Sequence, residues 1–569
     1  MRLRVPPLLA VLLLALLAPL AARADDATGA WDGSVDVPGQ KLDIRVVFPD
    51  TAHGIIDIPV QHVMAAPLKD VNVSGETLAF TLQVPGAPAV FSGKRSGETV
   101  TGTLAQAGQS YPFTLKRTGA VPPKLAPLPA VSAKDAGGLL GTWSGTIGKG
   151  GDAFDVELVL RAAGDAVGGT LAIPRQCLRD QKVTSVGRAA DGILRIAAQG
   201  KLDTPLTFDG KLEGESLAGT LLQNGSTSPF TLRRAAATAL PYDSEDVTYP
   251  SGDVTIAATL TRPRGAARAP AVILLTGSGP QNRDECVLGV RPFAAIADSL
   301  ARAGVAVLRS DDRGVGGSGG SMSSATPVDF AADAAAAVAY LRGRADIDPS
   351  GIGLLGHSEG GAIAPLVAVK DPKIAFIVLL AGPGTPLAEI MVDQLILIDR
   401  AEGMDAKLVD AESRLLRDIL ATFRASRPGA SKAKIVEIAK RDLPADLLGK
   451  LGGPDQIAER YTAQFDNAWL RFYLDYDPAA TLAQVKCPVL AVNGARDLQV
   501  PPRKNLDAIR AAVKKGKNRD VKIVELPGLN HLFQKAKTGS PSEYATLPPT
   551  IDPALLDTVT TWVTAHVHR

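Results

Sequence analysis

Ser358 stands between two glycines at fixed offsets, in the pattern Gly356-x-Ser358-x-Gly360. That spacing is typical of a nucleophilic serine on a tight turn between a buried strand and a helix. Side chains two residues before and after the serine would clash across such a turn, and glycine removes the clash. The same pattern also arises by chance in a chain with 56 glycines. The flanking elements and partner residues therefore have to support it.

A serine hydroxyl is a weak nucleophile and needs a base to take its proton. The chain has six histidines, of which His531 alone follows a predicted strand at the sheet edge expected for Ser358. His357 adjoins the serine, and neighbouring side chains on a turn diverge. The remaining four lie in the N-terminal region or at the C-terminal end: His53, His62, His566 and His568. We therefore predict His531 as the base.

The base has to be held in one tautomer by an acid, which in this architecture lies between the serine and the histidine in the chain. Asp497 lies in the loop that leaves the predicted strand 489–492, so it is the predicted acid. Three other aspartates belong to the predicted helical insertion or its return and are poorer choices: Asp393, Asp475 and Asp477. An acid that precedes the insertion remains an alternative.

Attack on a carbonyl creates an oxyanion, which backbone N–H groups stabilise. We predict one donor at Glu359, which follows the nucleophile, and the other at Ser278 in the glycine-rich loop 276–280. A phosphate-binding loop is the rival interpretation, but neither this loop nor residues 314–320 carry the lysine that a P-loop requires. Residues 311–314 are interpreted as a structural turn in which Arg313 pairs locally.

The elements that would position these residues begin near residue 240. From there, apolar strands alternate with helical patterns, which favours a mainly parallel sheet with flanking helices. Between about residues 384 and 484 the alternation stops and helical periodicity takes over. An insertion there would lie over the carboxyl edge of the sheet, so we predict a helical lid. Its aromatic stripe, Trp469, Phe472, Tyr473 and Tyr476, could pack against the body or line a substrate site.

The N-terminal half contains an internal repeat. Gly29–Gly33 matches Gly141–Gly145, and four further short matches follow in the same order up to residues 112–115 and 229–232. Short alternating runs bounded by turn residues predict two small all-β modules, at residues 25–118 and 137–236, joined by a linker at 119–136. Trp31 and Trp143 open the two copies. We expect core positions for them rather than a sugar-stacking surface.

The first residues resemble a secretory signal: Arg2 and Arg4 precede the apolar run 8–17, and Ala22–Ala24 is a small-x-small cleavage site. We expect residues 1–24 to be removed and the mature protein to be periplasmic or secreted, with no membrane span. A formal net charge of +2 gives no case for nucleic-acid binding.

The chain has three cysteines, Cys177, Cys286 and Cys487. They allow one disulfide at most, and buried or unpaired thiols are the expectation.

From about residue 245 onward the chain resembles serine hydrolases of the α/β-hydrolase fold, and more narrowly exported bacterial esterases related to the serine aminopeptidase-like group. The resemblance rests on residues 276–285, the elbow around Ser358, and residues 497–501. Relatives often carry histidine where this chain has Thr276, which keeps the backbone donor but changes the pocket wall. The β modules lie outside the resemblance.

The chain is therefore expected to be an α/β hydrolase, spanning residues 240–569, preceded by two β modules. We predict a carboxylesterase-like serine hydrolase that acts on a small-molecule ester or acyl substrate and uses no metal or cofactor. A peptidase or amidase is the alternative, with Glu359 or Glu285 as an anchor for a substrate amine; an acyltransferase or thioesterase is also open. A different class of function is a binding protein whose β modules hold a glycan or another envelope component.

Overall fold

The structure is a computed structural model. It describes residues 28–567 except 38–39, 59–62, 84–87, 107–108, 120–124, 149–152, 200–205, 224–225 and 237–238. The predicted signal segment, residues 1–24, lies outside the described residues, as do His62 and His568.

Each copy of the sequence repeat forms a closed antiparallel barrel of eight strands. The strands of the first barrel are β1 Gly29–Val37, β2 Gln40–Phe48, β3 Ile55–Ile58, β4 Val63–Ser74, β5 Thr77–Leu82, β6 Ala89–Ser96, β7 Thr99–Gln106 and β8 Gln109–Gly119. Those of the second are β9 Gly141–Ile147, β10 Phe154–Ala163, β11 Ala166–Ile173, β12 Leu178–Arg188, β13 Leu194–Ala198, β14 Leu206–Glu213, β15 Ser216–Gln223 and β16 Ser226–Arg234. In both barrels the first strand pairs with the last, which closes the sheet.

The repeated residues occupy equivalent places in the two barrels. Trp31 and Trp143 are fully buried in their barrel cores, so the core interpretation of these tryptophans is confirmed. An arginine from the last strand lies over each indole: Arg117 is 5.8 Å from the ring centroid of Trp31, and Arg234 is 4.5 Å from that of Trp143. The repeated Gly33 is needed because a Cβ there would lie 1.9 Å from the carbonyl oxygen of Thr114 on the paired strand.

Part of the predicted linker is attached to the second barrel. The backbone N–H of Val131 donates to the carbonyl of Val186, and that of Ala133 donates to the carbonyl of Asp165. Residues 131–133 therefore extend the second barrel instead of spanning open space.

An eight-stranded sheet follows, in the order β17-β18-β20-β19-β21-β22-β23-β24. Its strands are β17 Tyr242–Ser251, β18 Val254–Pro263, β19 Ala269–Leu275, β20 Ala306–Ser310, β21 Ile347–His357, β22 Ile377–Leu380, β23 Val489–Gly494 and β24 Val521–Leu526. The β17–β18 hairpin is antiparallel and β18 is antiparallel to β20, whereas the other neighbouring pairs are parallel. Parallel strands place their carboxyl ends, and the loops that leave them, at one edge.

Helices cover both faces of this sheet, as its buried apolar strands require. The helices outside the insertion are α1 Pro292–Arg302, α2 Pro327–Arg342, α3 Gly360–Lys370, α10 Pro478–Leu482, α11 Pro502–Lys515 and α12 Pro553–Thr564. On one face, α1 and α12 bury Phe293, Leu300 and Trp562 against the strands. On the other, α2, α3 and α11 bury Val338, Val367 and Ile509.

Between β22 and β23 the chain forms a helical insertion. Its helices are α4 Leu387–Ala401, α5 Ala406–Ala425, α6 Lys432–Asp442, α7 Ala445–Lys450, α8 Pro454–Phe465 and α9 Ala468–Asp475. These helices pack around their own apolar cluster, in which Ile419, Phe423 and Ile435 are fully buried. The insertion is thus a folded layer of its own beyond the carboxyl end of β22.

The expectation of unpaired thiols is wrong for two of the three cysteines. Cys177, in the turn after β11, forms a disulfide with Cys286, whose Cα lies 5.8 Å away. The pairing could not be foreseen because it joins the second barrel to the C-terminal domain across 109 residues of sequence. Cys487 remains a free, half-buried thiol, and burial raises its pKa to about 12.

Further contacts at the disulfide join the same two segments. Arg179 of the second barrel forms an ion pair with the buried Asp284 at 3.7 Å, and Arg309 from β20 also pairs with Asp284. A Cβ on Gly289 would lie 2.7 Å from the Cα of Arg175, so the two backbones touch. The second barrel is therefore fixed directly to residues 284–289, which follow the glycine-rich loop 276–280.

Candidate active site

Ser358 lies on the turn between β21 and α3, as the sequence predicts. Its φ of 50° is in the left-handed region, which a residue with a side chain occupies only at an energetic cost. The backbone N–H of Ser358 donates to the carbonyl of Leu380 at 2.8 Å, which holds the turn against β22. A Cβ on Gly356 would lie 2.0 Å from the carbonyl oxygen of Gly360, and one on Gly360 would lie 2.1 Å from that of Leu275. The two glycines are thus sterically required.

Asp497 and His531 meet at the same edge of the sheet. Asp497 follows β23, His531 follows β24, and their side chains join through Nδ1 of His531 and Oδ2 of Asp497 at 2.8 Å. Oδ1 of Asp497 accepts the backbone N–H groups of Gln499 and Val500 at 2.8 and 2.9 Å. The Asp497 carboxylate is fully buried and only accepts hydrogen bonds. It therefore fixes the imidazole proton of His531 on Nδ1, which leaves Nε2 able to accept a proton.

His531 also lies against the turn that carries Ser358. Its imidazole ring is 4.7 Å from the ring of His357, centroid to centroid, and its backbone carbonyl oxygen is 3.0 Å from Nε2 of His357. The structure therefore places the predicted base and its acid against His357, the residue that precedes the predicted nucleophile.

The glycine-rich loop 276–280 lies next to the serine. A Cβ on Gly277 would be 3.3 Å from the Cβ of Ser358. Among the residues that the structure describes, neither the backbone N–H of Ser278 nor that of Glu359 donates to a carbonyl group.

A second histidine–carboxylate pair lies beneath this site. Oε1 of Glu285 accepts the backbone N–H of Gly277 at 2.6 Å and is 2.9 Å from Nδ1 of His357. Glu285 and His357 are both buried. Burial alone would lower the pKa of His357, but the adjacent Glu285 carboxylate outweighs it and raises that pKa. Oε1 of Glu285 therefore serves protein groups, whereas its buried Oε2 has no hydrogen-bond partner among the described residues.

Asp312 fixes the other side of the glycine-rich loop. Its Oδ1 accepts the hydroxyl of Thr276 at 2.6 Å, and its Oδ2 accepts the backbone N–H of Gln281 at 2.8 Å. Burial, with a smaller contribution from the charges of Glu285 and Glu359, raises the pKa of Asp312 to about 7. Residues 311–314 form a turn as expected, and Arg313 pairs with Asp333 on α2 at 2.7 Å.

Glu359 connects the nucleophile turn to the helical insertion. Its Oε1 accepts the indole N–H of Trp469 at 2.7 Å and the hydroxyl of Tyr473 at 2.9 Å, both from α9. Loss of surrounding water raises the pKa of the Glu359 carboxyl to about 7. Two members of the predicted aromatic stripe thus bind a residue adjacent to the serine. The sequence assigned Glu359 a role through its backbone N–H, and this contact of its side chain was not foreseen.

A cavity of about 70 Å³ lies behind the glycine-rich loop. Thr276, Gly277 and Glu359 line the side that borders the site. The rest of its lining includes apolar side chains, such as Phe330 and Ile363, and charged ones, such as Asp311 and Arg313.

Comparisons with known proteins point to the same part of the chain. Residues 251–528 match the model of the X-Pro dipeptidyl-peptidase (S15) family; this stretch contains Ser358 and Asp497 and ends just before His531. Esterase EstD of Thermotoga maritima is 26% identical over 353 residues, which cover 60% of this chain and 75% of EstD. This part of the chain is related to esterases and peptidases of the α/β-hydrolase type. The predicted resemblance is thereby confirmed, and we call residues 240–569 the hydrolase domain.

Solved structures of hydrolases also align with the chain. Est1E from Butyrivibrio proteoclasticus with bound ferulic acid has 17% identity and a TM-score of 0.35, covering 57% of this chain and all of Est1E. The proline iminopeptidase of Mycobacterium smegmatis has 18% identity and a TM-score of 0.35, covering 57% of this chain and 99% of the iminopeptidase.

Within the described ranges, no group of three or more histidine, cysteine or acidic side chains is arranged to hold a metal ion. No helix in the same part of the chain has both the length and the apolar character needed to cross a bilayer.

Proposed function

We propose that the protein is an exported serine hydrolase that cleaves carboxylic esters through an acyl-enzyme intermediate. Ser358 is the nucleophile, His531 the general base and Asp497 the acid that orients it. The observation that carries the proposal is the buried hydrogen bond between Asp497 and His531, placed beside a serine held at a positive φ. Acyl transfer by serine uses such a histidine–carboxylate pair to take the proton of the nucleophile.

In the first step, Nε2 of His531 accepts the hydroxyl proton of Ser358 as Oγ attacks the ester carbonyl. Asp497 keeps its negative charge and stabilises the imidazolium. The carbonyl oxygen becomes an oxyanion, which the backbone N–H groups of Ser278 and Glu359 stabilise. His531 then gives the proton to the departing alcohol, and the acyl group remains on Ser358.

In the second step, water replaces the alcohol. His531 takes a proton from that water, hydroxide adds to the acyl-enzyme, and the proton returns to Oγ of Ser358 as the acid departs. An acyltransferase or thioesterase would use the same residues and differ in the acceptor or in the leaving group.

Amide hydrolysis is the second candidate activity, because the matching family model is that of a dipeptidyl-peptidase. Glu359 is the residue that could bind a substrate amine. Its carboxylate borders the cavity beside the serine, although Trp469 and Tyr473 already hold one of its oxygens.

The insertion is proposed to cover the site as a lid. Its helix α9 contacts Glu359, one residue from the nucleophile.

Export is supported by the Cys177–Cys286 disulfide, because such bonds persist in oxidising compartments outside the cytosol. The alternative to an enzyme is a binding protein whose barrels hold a glycan or another envelope component.

A substrate panel tests the proposal. Mature protein and Ser358→Ala are compared on p-nitrophenyl esters of graded acyl length and on aminoacyl and X-Pro-dipeptidyl p-nitroanilides. We expect ester hydrolysis and labelling by a fluorophosphonate in the wild type and neither in the variant. Faster cleavage of the anilides would establish the peptidase alternative. Equal behaviour of the two proteins would contradict a serine mechanism, and a glycan pull-down with residues 25–236 would then test the binding function.

A further inference from the structure

The buried pair of Glu285 and His357 has a protonation state that its neighbours determine. Nε2 of His357 faces the backbone carbonyl oxygen of His531 at 3.0 Å, and a carbonyl oxygen only accepts hydrogen bonds. Nδ1 faces Oε1 of Glu285 at 2.9 Å, and that same oxygen accepts the N–H of Gly277. Both ring nitrogens therefore donate, which makes His357 an imidazolium and Glu285 a carboxylate.

This ion pair joins the three segments that carry the proposed chemistry. Through Gly277 it holds the loop that provides the Ser278 donor. His357 directly precedes Ser358 in the chain, and its Nε2 holds the backbone of His531. Charge-assisted hydrogen bonds are shorter and stronger than neutral ones. A pair of this kind can therefore set the distances between nucleophile, base and oxyanion donors.

The second barrel holds Glu285 in place. Cys286, the next residue, is disulfide-bonded to Cys177 of the barrel, and Asp284, the preceding one, pairs with Arg179 of the barrel. Glu285 itself has a φ of 51°, a strained conformation that persists only when its surroundings enforce it. The barrel thus fixes the residues on both sides of Glu285.

We propose that Glu285 and His357 form a positioning pair for the triad and the oxyanion loop, and that docking of the second barrel keeps Glu285 in its working place. The proposal rests on the proposed function for its kinetic consequences. It also gives the second barrel a role in the hydrolase reaction that needs no ligand of its own.

Glu285→Gln, His357→Asn and the double variant test the pair, with Asp371→Asn as a control. Asp371 pairs with Arg342 at the C-terminal ends of α3 and α2, whereas Ser358 precedes the N-terminus of α3. We expect each single variant to lower kcat for an ester on the order of 100-fold, the effect of losing one oxyanion donor, with KM changed less than about 3-fold. The double variant should be no slower than the slower single variant, since both changes break one unit. The control should keep its kcat.

Glu285→Asp retains the charge, so it should recover part of the lost kcat. Multiplicative losses in the double variant, or a kcat for Glu285→Gln near that of the wild type, would overturn the proposal. The protonation state is measured on folded wild type, by nitrogen NMR of labelled histidines at pH 7.5. A neutral His357 ring in that spectrum would refute the ion pair even if every variant fails to fold.

The two proposals fail in different ways. A wild type that is not labelled by the fluorophosphonate and does not hydrolyse esters or amides contradicts the proposed function. If the wild type is active and the Glu285 variants are equally active, the positioning pair is contradicted while the proposed function is not. Reduction of the disulfide tests the role of the barrel. We expect kcat to fall several-fold, which is less than the loss in Glu285→Gln, and to fall equally in reduced Cys487→Ser, which lacks the free thiol. An unchanged kcat after reduction would overturn the role of the barrel.

Discussion

Removal of the disulfide should destabilise the second barrel strongly. Cys177 and Cys286 close a loop across 109 residues, which includes β12 to β16 of the barrel and the first three strands of the hydrolase sheet. In the chain-entropy model, closing a loop of that length restricts the unfolded chain by about 5 kcal/mol at 25 °C. The replacement Cys177→Ser/Cys286→Ser should therefore lose a few kcal/mol, with that value as the upper bound.

Tryptophan fluorescence can follow the second barrel alone. The chain has four tryptophans, and Trp143 is buried in the core of this barrel. In a background where Trp31, Trp469 and Trp562 are changed to phenylalanine, unfolding in guanidinium chloride reports on Trp143. A loss of a few kcal/mol should lower the midpoint by roughly 1 M, given the slopes of domains of this size.

The control is Cys487→Ser, which removes the free thiol and leaves the disulfide intact. Its midpoint should equal that of the parent. If the double serine variant also unfolds at the parent midpoint, the disulfide neither restricts the unfolded barrel nor contributes to fixing the barrel to residues 284–289.

Three further predictions concern the site itself. Burial raises the pKa of the Glu359 carboxyl to about 7. The contribution of Glu359 to the stability of the fold is therefore fully present below the ordinary pKa of glutamate and is lost as the pH rises through about 7. The fluorescence of Trp469, which donates to this carboxyl group, should change with that midpoint in wild type and not in Glu359→Gln. Gly277→Ala should lower kcat on the order of 100-fold with little change in KM, because a Cβ there would lie 2.9 Å from Oε1 of Glu285; wild-type kinetics in that variant would mean that the loop shifts freely. Asp497→Asn should lower kcat by up to about 10,000-fold through the wrong imidazole tautomer, and a loss below 10-fold would assign the acid to another residue.

The hydrolase sheet could be predicted because its strands and helices are local patterns. Residues 489–492 are a continuous apolar run, and they form the buried core of β23. The candidate triad followed from the same logic: Asp497 and His531 come directly after strands of one parallel sheet, so the topology alone brings their loops together. The predicted helices 293–303 and 553–566 correspond to α1 and α12 within a few residues.

The rest of the site depends on contacts between segments distant in sequence. Nothing near Glu285 indicates that its carboxylate meets His357, which is 72 residues away. Likewise, Trp469 shows helical periodicity with its aromatic neighbours, yet its partner Glu359 is 110 residues distant. Cys177 and Cys286 were expected as thiols because their spacing fits no local motif. Burial of charge and pairing of cysteines are properties of the folded chain, and local patterns do not encode them.

The helical insertion has a consequence for how this enzyme type can diversify. Its helices α4 to α9 enclose their own apolar core, and they begin and end between two strands, β22 and β23, that are directly paired. The pairing of β22 with β23 therefore does not depend on the sequence of the insertion. Exchange of residues 387–475 for another helical segment of suitable length should preserve the geometry of the proposed triad while replacing the surface proposed to face the substrate. Substrate preference would then change without any change in the proposed catalytic residues.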